Sequence, residues 1–218
     1  QALKISEEVK DVVSLRYAIY WYACALGWSC EFEKSADYLQ KALDMHVAIK
    51  NIWGILIMKN TLAFACYNPT GKIDLGFQTT QEVVHVAEES GDIYSKGLAY
   101  SSHGISCYGK GLLEEAEKYL LKGLEFCERI NFPSWGSFAQ IHLGETYFEM
   151  GDFPRSKEFY EKGVGVLQSN RINPSWRGVG KAGLARSKVL NREKNVDLDS
   201  LYTRSQNSKG NVYEGWIQ

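Results

Sequence analysis

The sequence predicts an all-α protein built from consecutive pairs of antiparallel helices, and three observations support that prediction. Apolar residues recur at helical spacing along most of the chain, and no segment alternates with period two. Landmark residues recur every 40 or 41 positions. None of the four prolines falls in the interior of a predicted helix. Because a repeat of about 40 residues is typical of a helical hairpin, we expect about five stacked hairpins.

Two independent series of residues mark the repeat. Gly71, Gly111 and Gly151 keep a spacing of 40, and Cys30 lies at the equivalent place, 41 positions before Gly71. A series of aromatic residues keeps a spacing of 41: Trp53, Tyr94, Trp135 and Trp176. Together they predict one solenoid over 1–218, with units at about 7–51, 52–91, 92–132, 133–172 and 173–209 and the start of a sixth at 210–218.

The fourth unit displays the two-helix pattern most clearly. Apolar spacing predicts a first helix over about Ser134–Met150, and Gly151-Asp152 supplies a turn glycine followed by a good N-cap. The second helix is predicted over about Phe153–Gln168. In the third unit the same reasoning predicts helices over about Ile93–Gly109 and Leu112–Ile130.

Two units depart from this pattern. In the second unit Phe64 stands where the third and fourth units have Gly104 and Gly144, and Asn68-Pro69-Thr70 makes an irregular turn. The fifth unit has a degenerate second helix.

Composition excludes several classes of protein. The 218 residues are 44% hydrophobic and 23% charged with a net charge of −1, so no positive field favours nucleic acid or an anionic membrane. The five cysteines include no C-x-x-C pair, so we expect buried thiols in a reducing compartment rather than disulfides or zinc. There is no signal peptide and no apolar run of membrane-spanning length. Both ends look cut, so we expect a piece of a longer protein.

No group of residues predicts catalysis, a cofactor or a metal. Gly178-Val-Gly180-Lys-Ala-Gly183 matches G-x-G-x-x-G, but no strand precedes it, so we interpret it as a close-packed helix. The four histidines form no metal-binding pair. The basic residues around Arg186 and Lys188 lack stacking aromatics and predict a solvated or partner-docking face rather than a nucleic-acid site.

The pattern resembles the tetratricopeptide repeat family. Small residues lie in mid-helix at Gly104 and Gly144, a turn glycine follows, and Gly123 and Gly163 lie in the second helices. The resemblance implies a right-handed superhelical solenoid that binds proteins and is not an enzyme. The repeats exceed the usual length of about 34 residues. They resemble the long-repeat variety in C-terminal regions of large bacterial signalling proteins, which implies a cytoplasmic location and a neighbouring nucleotide cyclase or ATPase domain.

In this family the first helices line a concave face, which we predict to bind a protein or peptide segment, or another domain of the same polypeptide. An alternative is a homo-oligomerisation module, and a helical enzyme or a nucleic-acid-binding domain ranks below both. We expect neither nucleic acid nor membrane as a partner. Tight curvature could instead close the face. The predicted partner-binding residues are Tyr17, Tyr20, Trp28, Met58, Leu98, Ser101, Ile105, Tyr108, Phe138, Ile141, Glu145 and Phe148.

Overall fold

The computed structural model describes residues 11–172, 174–194 and 196–197, together with residues 5, 8, 199 and 203. Every regular element within these residues is helical, so the all-α prediction is confirmed. Contacts divide the chain into two compact units, residues 1–90 and 91–218.

The first unit contains two helix pairs. The chain passes from the third helix to the fourth through a π-helical turn at Ala63–Tyr67 and a 3-10 turn at Asn68–Thr70. Apolar side chains from the first three helices and the π turn form one core, in which Ala23, Leu39 and Ala42 are completely buried. The helices are α1 (Val12–Trp28), α2 (Phe32–Ala48), α3 (Ile52–Leu62) and α4 (Ile73–Ser90).

Within its described residues, the second unit contains two complete pairs and the first helix of another. Its helices are α5 (Ile93–Gly109), α6 (Leu113–Arg129), α7 (Pro133–Glu149), α8 (Phe153–Ser169) and α9 (Pro174–Leu190). The predicted bounds in the third and fourth units are right to within one residue. The second helix predicted for the fifth unit falls largely outside the described residues, and the start of a sixth unit falls wholly outside them.

Between residues 12 and 190, a residue with positive φ follows the end of each helical segment, and the spacing of these residues shows where the repeat is regular. Successive positions are separated by steps of 20, except for two steps of 21, so the repeat of a helix pair is 40 or 41. At most of these ends the next amide donates back to a carbonyl five residues earlier, as Leu112 N does to Cys107 O at 3.0 Å. The positions are Cys30, Lys50, Gly71, Gly91, Gly111, Asn131, Gly151, Arg171 and Arg192.

The step of 21 from Lys50 to Gly71 explains the irregularity of the second predicted repeat, at about 52–91, and corrects one prediction. Counted from the preceding positive-φ residue, Gly104 and Gly144 are the thirteenth residues, and Ala63 is the thirteenth after Lys50. Ala63 is buried, whereas Phe64 is only partly buried. The prediction that Phe64 takes the central small position is therefore wrong, because the π turn inserts its extra residue just after that position.

Glycines bring the helices of the second unit into close contact. Tyr160 is completely buried, and its ring lies between Gly144 on α7 and Gly183 on α9. A Cβ atom at Gly144 would lie 2.8 Å from that ring, and a Cβ atom at Gly123 would lie 2.5 Å from the backbone nitrogen of Ser101. The G-x-G-x-x-G segment lies inside α9, where Gly180 approaches Val164 and Gly183 approaches Tyr160.

Candidate protein-interaction surface

In the first unit, α1 exposes a line of aromatic side chains. Tyr17 is 66% exposed, Trp21 is 59% exposed and Trp28 is 47% exposed. Their separations of four and seven residues place them on one face of the helix. Arg16 is the only charged residue of α1, so this face is apolar. The sequence prediction included Tyr17 and Trp28 but missed Trp21, although its spacing from Tyr17 is the signal that identifies it.

The structure places the other two predicted residues of this unit in a different setting. Tyr20 is mostly buried, and burial raises the pKa of its phenol. Met58 belongs to the core. Neither residue presents a contact surface comparable to that of Tyr17.

In the second unit, most of the predicted residues are interior. We expected these side chains to line an exposed surface. They face inward between the first helices, where a neighbouring helix covers them, so packing buries them. These side chains contribute to the core rather than to an exposed surface, which corrects the prediction of their accessibility. The buried residues are Leu98, Ser101, Ile105, Phe138, Ile141 and Glu145.

Tyr108 and Phe148 are partly exposed, and they border a polar group that joins α7 to α9. Arg186 Nη2 donates to Glu145 Oε2 at 2.5 Å and lies 3.5 Å from the Tyr160 hydroxyl. The Arg186 guanidinium carbon lies 3.9 Å from the centre of the Phe148 ring. We call Tyr108, Glu145, Phe148, Tyr160 and Arg186 the Glu145 cluster.

The two ions of the Glu145 cluster differ sharply in exposure. The Glu145 side chain is 7% exposed, whereas the Arg186 side chain is 46% exposed. Burial raises the pKa of both Tyr108 and Tyr160, and the Glu145 carboxylate raises it further. Both phenols therefore remain protonated and can donate to that carboxylate. The cluster is a satisfied polar network whose cation faces solvent.

The Glu145 cluster changes how the basic residues of α9 are understood. We expected Arg186 and Lys188 to form a basic face separate from the aromatic residues, and this is wrong for Arg186. Lys188 lies apart from it, 3.7 Å from Glu161 on α8. The signal that identifies the ion pair is present in the sequence, because Glu145 and Arg186 carry opposite charges and are separated by one repeat.

The buried histidines pack against aromatic rings. The His142 ring lies 6.1 Å from Tyr108 and 5.4 Å from Trp176, between centroids. The His103 ring lies 4.6 Å from Tyr119. Burial lowers the pKa of His142 to about 3 and that of His103 to about 4. Both imidazoles are neutral near pH 7. His142 extends the aromatic packing next to Tyr108 of the Glu145 cluster.

The described residues contain no group of three potential metal ligands. Four of the five cysteines are buried, Cys30 is exposed, and none of the five forms a disulfide. Within the same ranges, no helix is both long enough and apolar enough to cross a membrane.

The fold and this surface define a protein of the helical-repeat class, in which antiparallel helix pairs present partly exposed side chains of their first helices. Residues 139–166, which cover most of α7 and α8, match the family model of the tetratricopeptide repeat. This match, together with the similar solved structures that contain tetratricopeptide repeats, confirms the predicted resemblance to this family. The long-repeat variety stays a prediction. No curated protein matches the chain significantly.

Solved structures share the fold at low sequence identity. BtubC (BKLC) from P. vanneervenii matches with a TM-score of 0.72 and 15% identity, over 95% of this chain and 89% of that one. A Rap protein complexed with competence and sporulation factor matches with a TM-score of 0.74 and 9% identity, over 89% of this chain and 54% of that one.

A third similar structure belongs to a larger signalling protein. It is a signal transduction ATPase with numerous domains and a tetratricopeptide repeat sensor, from Pyrococcus horikoshii. The TM-score is 0.64 at 20% identity, over 95% of this chain and 31% of that chain. This chain therefore spans about a third of the ATPase and about half of the Rap protein. Such likenesses establish a tetratricopeptide-like fold, and a fold by itself does not assign a function.

Proposed function

We propose that this chain is a non-catalytic interaction or regulatory scaffold module that binds a partner segment on the first-helix face of residues 91–218. It serves a larger bacterial signalling protein in the cytoplasm. The observation that carries the proposal is the pair of partly exposed aromatic side chains, Tyr108 and Phe148, beside the ordered Glu145–Arg186 ion pair. Aromatic side chains around a rigid, partly desolvated site are typical of binding hot spots.

The similar structures support this proposal by analogy. The ATPase from Pyrococcus horikoshii has a tetratricopeptide repeat sensor, and the Rap protein is complexed with competence and sporulation factor. A module of the same fold that senses a protein segment for a neighbouring domain agrees with both.

A double substitution tests the proposed face. Tyr108→Ala with Phe148→Ala should weaken partner binding at least tenfold, because each aromatic anchor contributes about 2 kcal/mol or more. The matched control is Tyr119→Ala with Phe159→Ala, since these residues are also a Tyr and a Phe 40 positions apart and partly buried, but lie on the second helices α6 and α8.

The measurement is quantitative mass spectrometry of proteins retained by the immobilised wild type and by each double variant. We expect the partner to be lost only from the first-helix variant, while its circular dichroism spectrum stays helical. Equal loss from both variants would place binding elsewhere. Because Arg186 lies in the Glu145 cluster, Lys188→Glu alone is the appropriate charge control.

Self-association is the second candidate, and the exposed aromatic face of α1 favours it. Tyr17, Trp21 and Trp28 are exposed on one face of α1, and a contiguous exposed apolar patch marks a protein-interaction site. Light scattering across a hundredfold range of concentration distinguishes the candidates. A dimer that Trp21→Glu dissociates supports self-association, and a monomer at every concentration excludes it.

A further inference from the structure

Five exposed side chains form one stripe along α1. Steps of three or four residues place them on the same face of the helix. None of the five is charged, and Arg16, the only charged residue of α1, lies about 140° around the helix axis from the centre of the stripe. The face is therefore suited to an apolar contact. The α1 stripe consists of Ser14, Tyr17, Trp21, Ala25 and Trp28.

The central residue of the α1 stripe is held in position by its neighbour. The Trp21 ring lies 5.1 Å from the Tyr20 ring, between centroids, in an edge-to-face arrangement. Tyr20 is mostly buried, and its hydroxyl interacts with Thr61 of α3. A tryptophan that is exposed but already ordered loses little conformational freedom when it binds, which is typical of interface hot spots.

The second unit indicates which kind of element covers such positions. Tyr17 and Phe138 each lie 13 residues before the positive-φ residue that follows their helix. Trp21 and Gly183 each lie 9 residues before it. Phe138 packs against a ring of α9, and Gly183 lies against a ring of α8. Because a helix covers both equivalent positions, a helix is the element that suits the α1 stripe.

The α1 stripe is complementary to itself when two copies of α1 run antiparallel. With a two-fold axis at Trp21, residues equally far before and after position 21 lie opposite each other. Tyr17 is then opposite Ala25 of the second copy. Ser14 is opposite Trp28 of the second copy, so each large side chain meets a small one. The two Trp21 side chains meet on the axis, where two aromatic rings can pack offset or edge to face.

The exposed area of the α1 stripe is sufficient for a weak dimer. Tyr17, Trp21 and Trp28 are 66%, 59% and 47% exposed. A large aromatic side chain can bury about 150–250 Å², so these three and the small residues between them offer about 500 Å² on each copy. A total of about 1,000 Å² is the lower limit for a specific interface, so we expect the dimer to dissociate on dilution.

We propose that α1 pairs with α1 of a second copy of this chain, antiparallel about a two-fold axis close to Trp21. This inference rests on self-association, the second candidate function, and specifies the occupant of the exposed face, its direction and its register. It uses neither Tyr108 nor Phe148, so the proposed partner segment can bind the dimer as well as the monomer.

Exchanging a large residue with a small one tests the register in the full chain. Sedimentation equilibrium measures the dimer Kd. Tyr17→Ala should weaken the dimer about tenfold, because it removes an aromatic anchor. Ala25→Tyr should weaken it about tenfold, because two tyrosines then compete for one space. The double variant Tyr17→Ala, Ala25→Tyr again places one large residue opposite one small residue, so its Kd should return to within about threefold of the wild-type value.

A pair of tryptophan substitutions controls for nonspecific effects. Trp21→Glu should abolish the dimer, because it places two carboxylates side by side at the axis. Trp53→Glu is the matched control, since Trp53 is 42% exposed on α3 of the same unit, and it should leave the Kd unchanged. All of these side chains are exposed, so the circular dichroism spectrum should stay helical in every variant.

The possible results separate this inference from the function on which it rests. If Trp21→Glu abolishes the dimer but the double variant binds no better than Tyr17→Ala or Ala25→Tyr alone, self-association stands and the antiparallel register is wrong. Assemblies larger than a dimer would indicate a head-to-tail contact and overturn the two-fold pairing. A monomer at every concentration would refute both, and would leave partner binding at Tyr108 and Phe148 unaffected.

Discussion

Alanine at Gly123 should destabilise the protein although alanine is the better helix former. In the middle of a helix, alanine is favoured over glycine by about 1 kcal/mol. At Gly123, however, the new Cβ would lie 2.5 Å from the Ser101 backbone nitrogen and 2.9 Å from its Cα. Backbone atoms of α5 cannot rotate away as a side chain can, so the whole crossing of α5 and α6 must open.

The structure sets the magnitude of this effect by comparison with two other glycines. A Cβ at Gly165 meets no atom within 4 Å, so Gly165→Ala should stabilise the protein by about 0.5–1 kcal/mol. A Cβ at Gly163 meets the Ile141 side chain at 2.9 Å, which can partly adjust. Gly123→Ala should cost about 1–3 kcal/mol, the usual range for overpacking.

Thermal and urea denaturation, followed by circular dichroism, measure the series. For a chain of this length about 1 kcal/mol shifts the Tm by about 2–4 °C. We expect the Tm to fall in the order Gly165→Ala, wild type, Gly163→Ala, Gly123→Ala. A Gly123→Ala protein that melts at or above the Gly165→Ala protein would refute the inferred helix contact.

Three further predictions concern other parts of the chain. Gly144→Leu should lower the Tm by several degrees because the Tyr160 ring leaves no room for a side chain, and an unchanged Tm would contradict the helix register. Asn131→Gly should raise stability by up to about 1 kcal/mol in urea titrations, because Asn131 has a φ of 52° and glycine adopts that conformation without strain. The pKa of His142 is lower in the folded protein than in the unfolded chain, so its contribution to stability is complete above about pH 6.5 and is lost as the pH falls toward about 3. The Tm of His142→Phe should therefore fall less than that of the wild type between pH 7 and pH 5. Equal changes in Tm with pH for the two proteins would exclude this contribution of His142 to stability.

The helices could be predicted closely because local chemistry marks their ends. Asp152 accepts a hydrogen bond from the Arg155 amide at 3.0 Å, as its N-cap position predicts, and Gly151 has a φ of 79°. Such signals depend only on neighbouring residues. The π turn could not be predicted, because Ala63 and Phe64 compete for one buried position and only the packed structure decides between them.

The exposed surface was harder to predict than the fold. Periodicity identifies equivalent positions but does not indicate which of them a neighbouring helix covers, so Ser101 and Ile141 were assigned to an open face although both are completely buried. Arg186 was assigned to a separate basic face, because its partner Glu145 lies a full repeat away in sequence. The spacing of the repeat contains that information, because Glu145 and Arg186 carry opposite charges 41 residues apart.

The regular spacing of positive-φ residues has a consequence for how this chain can change its length. Most turns between helices are only two or three residues long and are closed by hydrogen bonds to the preceding carbonyls, so they have no slack. The two steps of 21 show where one extra residue has been taken up in each case. One lies in the first helix of the second repeat, as a π turn, and the other lengthens the turn between Arg171 and the start of α9. In most proteins loops absorb insertions while helices keep their length. Here one of the two extra residues is held inside a helix, so a change in length alters the helix itself as well as a turn.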